Sequence, residues 1–247
     1  MVEAYNKTTR ETVAIKKMKK KFESWDECME LREVRTLRRL NHPNVVKLKE
    51  VIRVQNDLHL VFEHMKGTVL DLIRDSKRFR ANKGTELDTI KSVVTQCLKG
   101  IEYFHDKGYF HRDLKPENLL YSDGQIKICD FGLSKESFLK NLPCTNYVST
   151  RWYRSPEIIL RQRCYDEKVD VWAMGCIIAE LFTGNPLIPG QSETDMLIRL
   201  SKLIGNIPKS WKKGFDVAQK TGLSFQPGSL VDPSIDQVTQ LLKNAIP

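Results

Sequence analysis

Several things are missing from this sequence of 247 residues, and each absence removes a class of protein. No apolar run approaches the roughly eighteen residues of a membrane span, and the longest mostly apolar stretch, Val171 to Phe182, suits a buried helix instead. The opening residues Val2-Glu3-Ala4-Tyr5-Asn6-Lys7 hold no hydrophobic core of a secretory signal. The six cysteines (28, 97, 129, 144, 164 and 176) include no C-x-x-C pair and no histidine-rich neighbourhood. That pattern argues against structural zinc or a disulfide scaffold and for reduced thiols in the cytosol or nucleus. No internal repeat or low-complexity tract appears. With 40% hydrophobic residues the chain is too apolar to stay disordered, and its length supports a substantial core. The net charge of +9 is spread along the chain rather than gathered into a patch, and no nucleic-acid reader motif accompanies it. Anionic substrates, phosphates or solubility account for that charge as well as nucleic acid does.

What is present changes character along the chain. The first sixty-odd residues read as strands around one helix. Val13-Ala14-Ile15 is a short apolar strand, and Lys16 at its end is followed by a basic run, Lys17 to Lys21, expected as a solvated loop. Ser24-Trp25-Asp26-Glu27 has the form of a capping box, and Cys28, Leu31, Val34, Leu37 and Leu40 recur at helical spacing until Asn41-His42-Pro43 stops the helix. Val45 to Val54 and His59 to Glu63 read as strands joined through Gln55-Asn56-Asp57. From residue 66 onward helices dominate. Ile90, Val93, Val94, Cys97, Leu98, Ile101 and Phe104 predict an amphipathic helix. Asp123-Gly124 signals a hairpin, Val171 to Phe182 a buried central helix ended by Gly184, and Ser192 to Asp195 the start of a further helix closed by Gly205.

Three ordered motifs carry chemistry. His111-Arg112-Asp113-Leu114-Lys115-Pro116-Glu117-Asn118 matches H-R-D-L-x-x-x-N at every fixed position, Asp130-Phe131-Gly132 follows closely, and Val13-Ala14-Ile15-Lys16 lies upstream. In this order they make the chain resemble a eukaryotic protein kinase over essentially its whole length. The resemblance implies an α+β, two-lobed fold: a small antiparallel sheet lobe with one helix (residues 1–65), then a larger, mainly helical lobe (residues 66–247).

The resemblance also implies roles, and the chemistry of phosphoryl transfer explains the residue types, since that reaction needs positioning and charge neutralisation. Asp113 would take the proton of the substrate hydroxyl, and Lys115 would neutralise the transferring phosphate. Asn118 and Asp130 would offer hard oxygens to magnesium. Lys16 would hold the α and β phosphates of ATP, with Glu33 as its ion-pair partner. Phe62 would be the gatekeeper, Glu63 and Met65 would present the hinge backbone to adenine, and Ala14 and Leu120 would cover its faces. Leu37, Leu48, His111 and Phe131 would stack as a spine, and Cys129 would be the cysteine nearest the nucleotide.

Thr145-Asn146-Tyr147 before Thr150-Arg151-Trp152-Tyr153-Arg154-Ser155-Pro156-Glu157 resembles the activation segment of mitogen-activated kinases. Phosphate on Thr145 would meet Arg32, Arg112 and Lys135, and phosphate on Tyr147 would meet Arg151 and Arg154. Ser155 departs mildly from the family's A-P-E. Pro186 to Glu193 is similar to the insert of the cyclin-dependent and mitogen-activated branch, and Ser24 to Val34 to the male-germ-cell-associated and intestinal-cell kinase group, which tunes cilium length. The branch implies protein substrates with Ser/Thr-Pro sites, an upstream activating kinase, no cyclin requirement, and a cytoplasmic location with nucleus or cilium as further candidates.

The family's G-x-G-x-x-G-x-V loop is absent, because Met1 falls about where its last valine should stand. The family's final helices, with the arginine that would pair with Glu157, should follow Pro247. The expectation is a chain truncated at both ends, with Glu157 as a partly buried carboxylate lacking its partner. Two readings follow: a proline-directed serine/threonine kinase, or a catalytically impaired module that binds and titrates partners.

Overall fold

The computed structural model describes residues 1–75, 83–136, 150–162, 165–204 and 212. The architecture is α+β. Strands β1 (Val2–Asn6) and β2 (Glu11–Lys21) precede helices α1 (Trp25–Glu30) and α2 (Arg32–Arg39), then strands β3 (Leu48–Val54) and β4 (Asp57–Glu63). These four strands form an antiparallel sheet in the order β1-β2-β4-β3. Next come β5 (Gly67–Thr68), α3 (Val69–Arg74), the long α4 (Lys83–Asp106), β6 (Tyr109–Phe110), β7 (Leu119–Ser122), β8 (Gln125–Ile128) and β9 (Lys135–Glu136). Short helix α5 (Pro156–Ile159), α6 (Lys168–Thr183) and α7 (Glu193–Ile204) complete the described elements.

Contacts group the chain into two compact units. The first comprises Met1–Leu72, Lys91–Arg112 and Pro116–Glu136; the second comprises Ile73–Ile90, Asp113–Lys115 and Ser137–Pro247. In the first, Leu58, Leu60 and Phe62 are buried on one face of the four-stranded sheet and Val13 and Val61 on the other, while Ile126 and Ile128 are buried in β8. In the second, α5 packs on α7, and α6 supplies Val169, Ala173, Met174, Ile177 and Leu181 to the core. Tyr153 donates its hydroxyl hydrogen to the buried Glu180 of α6 at 2.7 Å, so this carboxylate is satisfied inside an otherwise apolar helix.

Local signals explain most boundaries. Asp123 and Gly124 both have positive φ (51° and 81°), the conformation a two-residue turn needs to match strand twist. Gly184 ends α6 in the left-handed region at φ 73°, where a β-carbon would be strained. Ser192 Oγ accepts the Asp195 N–H at 3.0 Å and opens α7. Gly205, expected to close that helix, lies outside the described residues.

Four expectations need correction. The predicted single helix after Ser24 is two, broken at Leu31, whose φ and ψ are −57° and 128°. Cys28 and Glu33 are both buried (0% and 3% exposed), yet five residues on one straight helix would separate them by about 140° around the axis. The break lets both turn inward. The strand predicted from Val45 begins at Leu48, because the stretch before it bonds elsewhere: Val45 N–H donates back to the His42 carbonyl at 3.0 Å, while Val46 N–H donates to the Ile128 carbonyl of β8 and Ile128 N–H to that of Asn44, both at 2.9 Å. The basic run Lys17 to Lys21 is strand, not loop; β2 continues through a register shift, and Lys17 and Lys21 both reach Asp57 (3.0 and 2.6 Å). Finally, Leu98 on the predicted apolar stripe of α4 is 45% exposed, and Val171 of α6 is 56% exposed, so the buried faces are narrower than the sequence pattern.

One close approach sets the position of α4. A β-carbon on Gly100 would fall 2.9 Å from the Asn44 carbonyl oxygen and 3.0 Å from Ile128 Cδ1. Alanine is the better helix former by about 1 kcal/mol, but the backbone oxygen cannot yield without moving its segment. Gly100→Ala is therefore expected to destabilise the chain by roughly 1–3 kcal/mol in urea unfolding; a gain in stability would show that α4 can retreat freely.

Candidate active site

The site is assembled by alternation and by two strand ends. Ala14 and Lys16 are two apart on β2 and so share a face, and both line a cavity of about 330 Å³ in the first unit. Phe62 lies opposite Ala14 in the β2–β4 register and also lines the cavity, as do Glu63 and Met65 just beyond it. Leu120 of β7 joins from the other hairpin, with Asn118 before it and Cys129 and Asp130 beyond β8.

Lys16 Nζ donates to both oxygens of Glu33, at 2.9 Å each, and to Asp130 Oδ1 at 2.9 Å. The three differ in exposure: Glu33 is 3% exposed, Lys16 28% and Asp130 46%. Burial alone would push the Lys16 ammonium down, but the carboxylates of Glu33 and Asp130 outweigh it and hold its pKa above the usual lysine value. Burial pushes the Glu33 carboxyl up, and the Lys16 charge opposes that rise. Lys16 is thus a secured cation with one buried and one solvent-facing acceptor.

Asp130 takes a left-handed conformation (φ 64°, ψ 62°), uncommon for a residue with a β-carbon. The next residue wedges it in place. Phe131 is fully buried, its ring centroid 4.9 Å from that of His111 and 5.5 Å from that of Phe104. His111 Nε2 lies 2.8 Å from the Cys129 carbonyl, which only accepts, so this nitrogen carries the hydrogen. Cys129 N–H in turn donates to the Asn118 carbonyl at 2.9 Å, joining the segments that carry Asn118 and Asp130. Helix α2 packs on the Phe131–Leu133 turn, where Thr36 and Ser134 share a buried hydroxyl bond of 3.0 Å. Leu37 is buried and Leu48 half-buried.

The donor set suits one kind of ion. No group of three or more His, Cys, Asp or Glu ligands occurs among the described residues. Asn118 and Asp130 offer two hard oxygen-bearing side chains to one cavity. That fits magnesium, which keeps water and phosphate oxygens for the rest of its shell.

In the second unit, Lys115 Nζ donates to Asp113 Oδ2 at 3.0 Å, both half-buried. The residues expected to receive phosphates fall in both units. Arg32 opens α2, Arg112 is buried at φ 75°, and buried Lys135 of β9 pairs in register with Phe110, two residues before Arg112. Arg154 is buried, and Arg151 donates from Nη1 to the Gln191 carbonyl, beside a Trp152 bond to the Gly190 carbonyl at 3.1 Å. Thr145 and Tyr147 lie outside the described residues. Glu157 is half-buried and makes no ion pair among the described residues; burial pushes its carboxyl up. Cys28, Cys97, Cys129 and Cys176 form no disulfide, and burial raises the Cys97 and Cys176 thiols to about 12. Val46, Thr68 and Glu117 also line the cavity but drew no role from the sequence. Glu117 is one of the variable positions of the His111–Asn118 motif, and Val46 and Thr68 carry no signal.

A family model described as "Protein kinase domain" matches residues 1–243. The chain is 47% identical over 223 residues to cyclin-dependent kinase F-3 of Oryza sativa subsp. japonica, covering 90% of this chain and 50% of that protein. It is 48% identical over 217 residues to serine/threonine-protein kinase MAK of Mus musculus (87% and 34%). It is 48% identical over 210 residues to serine/threonine-protein kinase ICK of Rattus norvegicus (84% and 32%). The chain thus spans about half or less of the length of these curated relatives. No described helix is long and apolar enough to cross a membrane.

The ion triad has a measurable energetic signature. Lys16→Met strands the Glu33 carboxylate away from water and is expected to destabilise the chain by roughly 3 kcal/mol, while Lys16→Met/Glu33→Leu regains most of the loss. Urea denaturation of both variants checks this. A double variant as unstable as the single would mean that packing, not charge, holds the pair.

Proposed function

The chain belongs to the protein kinase family, and on that premise we propose that it transfers the γ-phosphoryl group of ATP to serine or threonine hydroxyls of proteins. The observation that carries this reading is the position of Lys16 Nζ, 2.9 Å from both Glu33 and Asp130, in a cavity that also holds Asn118. A cation between a buried and an exposed carboxylate is fixed from behind by Glu33, while its third donor, spent on the exposed Asp130, can be taken over by a ligand. That donor turns to the α and β phosphates, and the Asp130 carboxylate with Asn118 would hold magnesium, which would supply charge neutralisation to the phosphate oxygens. Ala14 and Leu120 cover the adenine faces, and the Glu63 and Met65 backbone reads its edge. Asp113 orients the substrate hydroxyl and takes its proton as the oxygen bonds to the γ phosphorus and the bond to the β-phosphate oxygen breaks, leaving ADP. Lys115, already bonded to Asp113, carries positive charge to the transferring group.

Under the same proposal residues 1–65 and 66–247 act as the two lobes. Substrates carry Ser/Thr-Pro sites, an upstream kinase supplies phosphate to Thr145 and Tyr147, and no cyclin is needed. The site of action is the cytoplasm, with nucleus and cilium as further compartments. The proline preference rests on the likeness of the 150–157 segment to the mitogen-activated kinases and on the burial of Arg154 within it.

Two experiments test this. Asp113→Asn should lower turnover on a Ser-Pro peptide by about 10²–10⁴-fold while nucleotide affinity stays within twofold, since Asp113 serves the hydroxyl and not ATP. Near-normal turnover would remove Asp113 from the reaction. Thr145→Ala should lower activity roughly tenfold for each charge-assisted bond lost in the Arg32, Arg112 and Lys135 set, with Tyr147→Phe a smaller second step. Wild-type rates from the double variant would show that the segment orders without phosphate.

A further inference from the structure

We infer that Lys127 is a positioning residue for the nucleotide base, acting through the carboxylate of Glu63; the inference rests on the kinase reading above. Lys127 sits in β8 between Ile126 and Ile128, both fully buried, and its own side chain is only 9% exposed. A lysine in such a place has surrendered its hydration, and charges buried this far are kept only when paired. Its partner is Glu63 Oε1 at 3.0 Å. Glu63 is the last residue of β4 and lines the cavity, while Lys127 pairs in register with Leu120, which lines the same cavity from β7.

The carboxylate gathers a third segment. Lys47 N–H donates to a Glu63 carboxylate oxygen at 2.7 Å, and Glu63 N–H donates back to the Lys47 carbonyl at 3.3 Å. The stretch from Asn44 to Val46 is itself bonded to Ile128. One half-buried carboxylate therefore ties the end of β4, the approach to β3 and strand β8, and among the described residues Lys127 is the one cationic side chain paired with it. Without that ammonium, Glu63 keeps a single backbone donor and gains more by turning to water. Such a turn releases the Lys47 bond and lets the backbone at Glu63 and Met65 shift. That backbone reads the base edge, whereas the phosphates are held elsewhere, by Lys16 and Asp130. The loss should consequently fall on base recognition.

The test is equilibrium binding of magnesium–ADP and magnesium–GDP to the chain, at a temperature where circular dichroism shows each variant folded. Lys127→Met is expected to weaken ADP by about five- to tenfold and GDP by less than about twofold, shrinking the preference for adenine. Lys127→Arg should restore the preference. Glu63→Gln should reproduce the loss, and adding Lys127→Met to it should bring little more. A purely structural lysine would lower the unfolding temperature and leave the ADP-to-GDP ratio unchanged, which overturns the inference alone. If Lys127→Met does not fold, an unchanged ratio in Glu63→Gln overturns it equally. A wild-type chain that binds neither nucleotide overturns the kinase reading and this inference with it.

Discussion

One ammonium group shared between two carboxylates ties three separate stretches of chain to a point. Lys16 comes from β2, Glu33 from the first turn of α2, and Asp130 from the turn after β8. The consequences spread outward from that point. Glu33 can be buried as an anion only because Lys16 faces it, and the helix break at Leu31 is what lets Glu33 turn inward while Cys28 stays buried. Asp130 sits in the left-handed region, where a β-carbon costs about 1–2 kcal/mol. Its bond to Lys16 and the burial of Phe131 against His111 and Phe104 offset that strain.

The other charges follow a different logic. Pairs such as Lys66–Asp123 and Arg161–Glu193 are exposed on both sides, where water and salt screen them, and they contribute little. Among the described residues the only buried lysines and arginines are Arg112, Lys127, Lys135 and Arg154. The more buried pairs Lys16–Glu33 and Lys127–Glu63 stand apart, since their partners come from distant segments and Lys16, Glu33 and Glu63 line the same cavity. Charge removed from water here holds backbone in register beside the place where a charged ligand would lie.

Much of this was legible in the sequence where a signal is local. The hairpin at Asp123-Gly124, the αL stop at Gly184 and the Ser192 cap each depend on a few adjacent residues. The motif residues Lys16, Asn118 and Asp130 were legible for another reason: their order and spacing are tied to one chemistry. What escaped reading depends on tertiary partners. Cys28, Leu31, Val34 and Leu37 satisfy helical spacing whether one helix or two is formed, so only the burial of Glu33 against Lys16 reveals the break. Val45 and Val46 look like strand, yet Val45 donates back to the His42 carbonyl and Val46 to β8. Lys127 in Ile-Lys-Ile looks like the solvent face of an alternating strand, and only Glu63, far away in sequence, shows that it points inward. Glu117 stands at a variable position of its motif, and its place on the cavity wall has no sequence pattern of its own.

The contact between Gly100 and the backbone of Asn44 carries a consequence at the level of the gene. Every missense change that one nucleotide can make in a glycine codon adds at least a β-carbon. At most glycines some of those changes are harmless. At Gly100 the first atom of any side chain already meets a carbonyl oxygen at 2.9 Å, so the codon has no sterically neutral neighbour. Drift at this position is confined to synonymous changes unless the Asn44 segment moves first, and that segment is bonded to the strand leading to Asp130. The spacing between α4 and β8 is thus held by the absence of a side chain, and it can change only in company with the cavity wall.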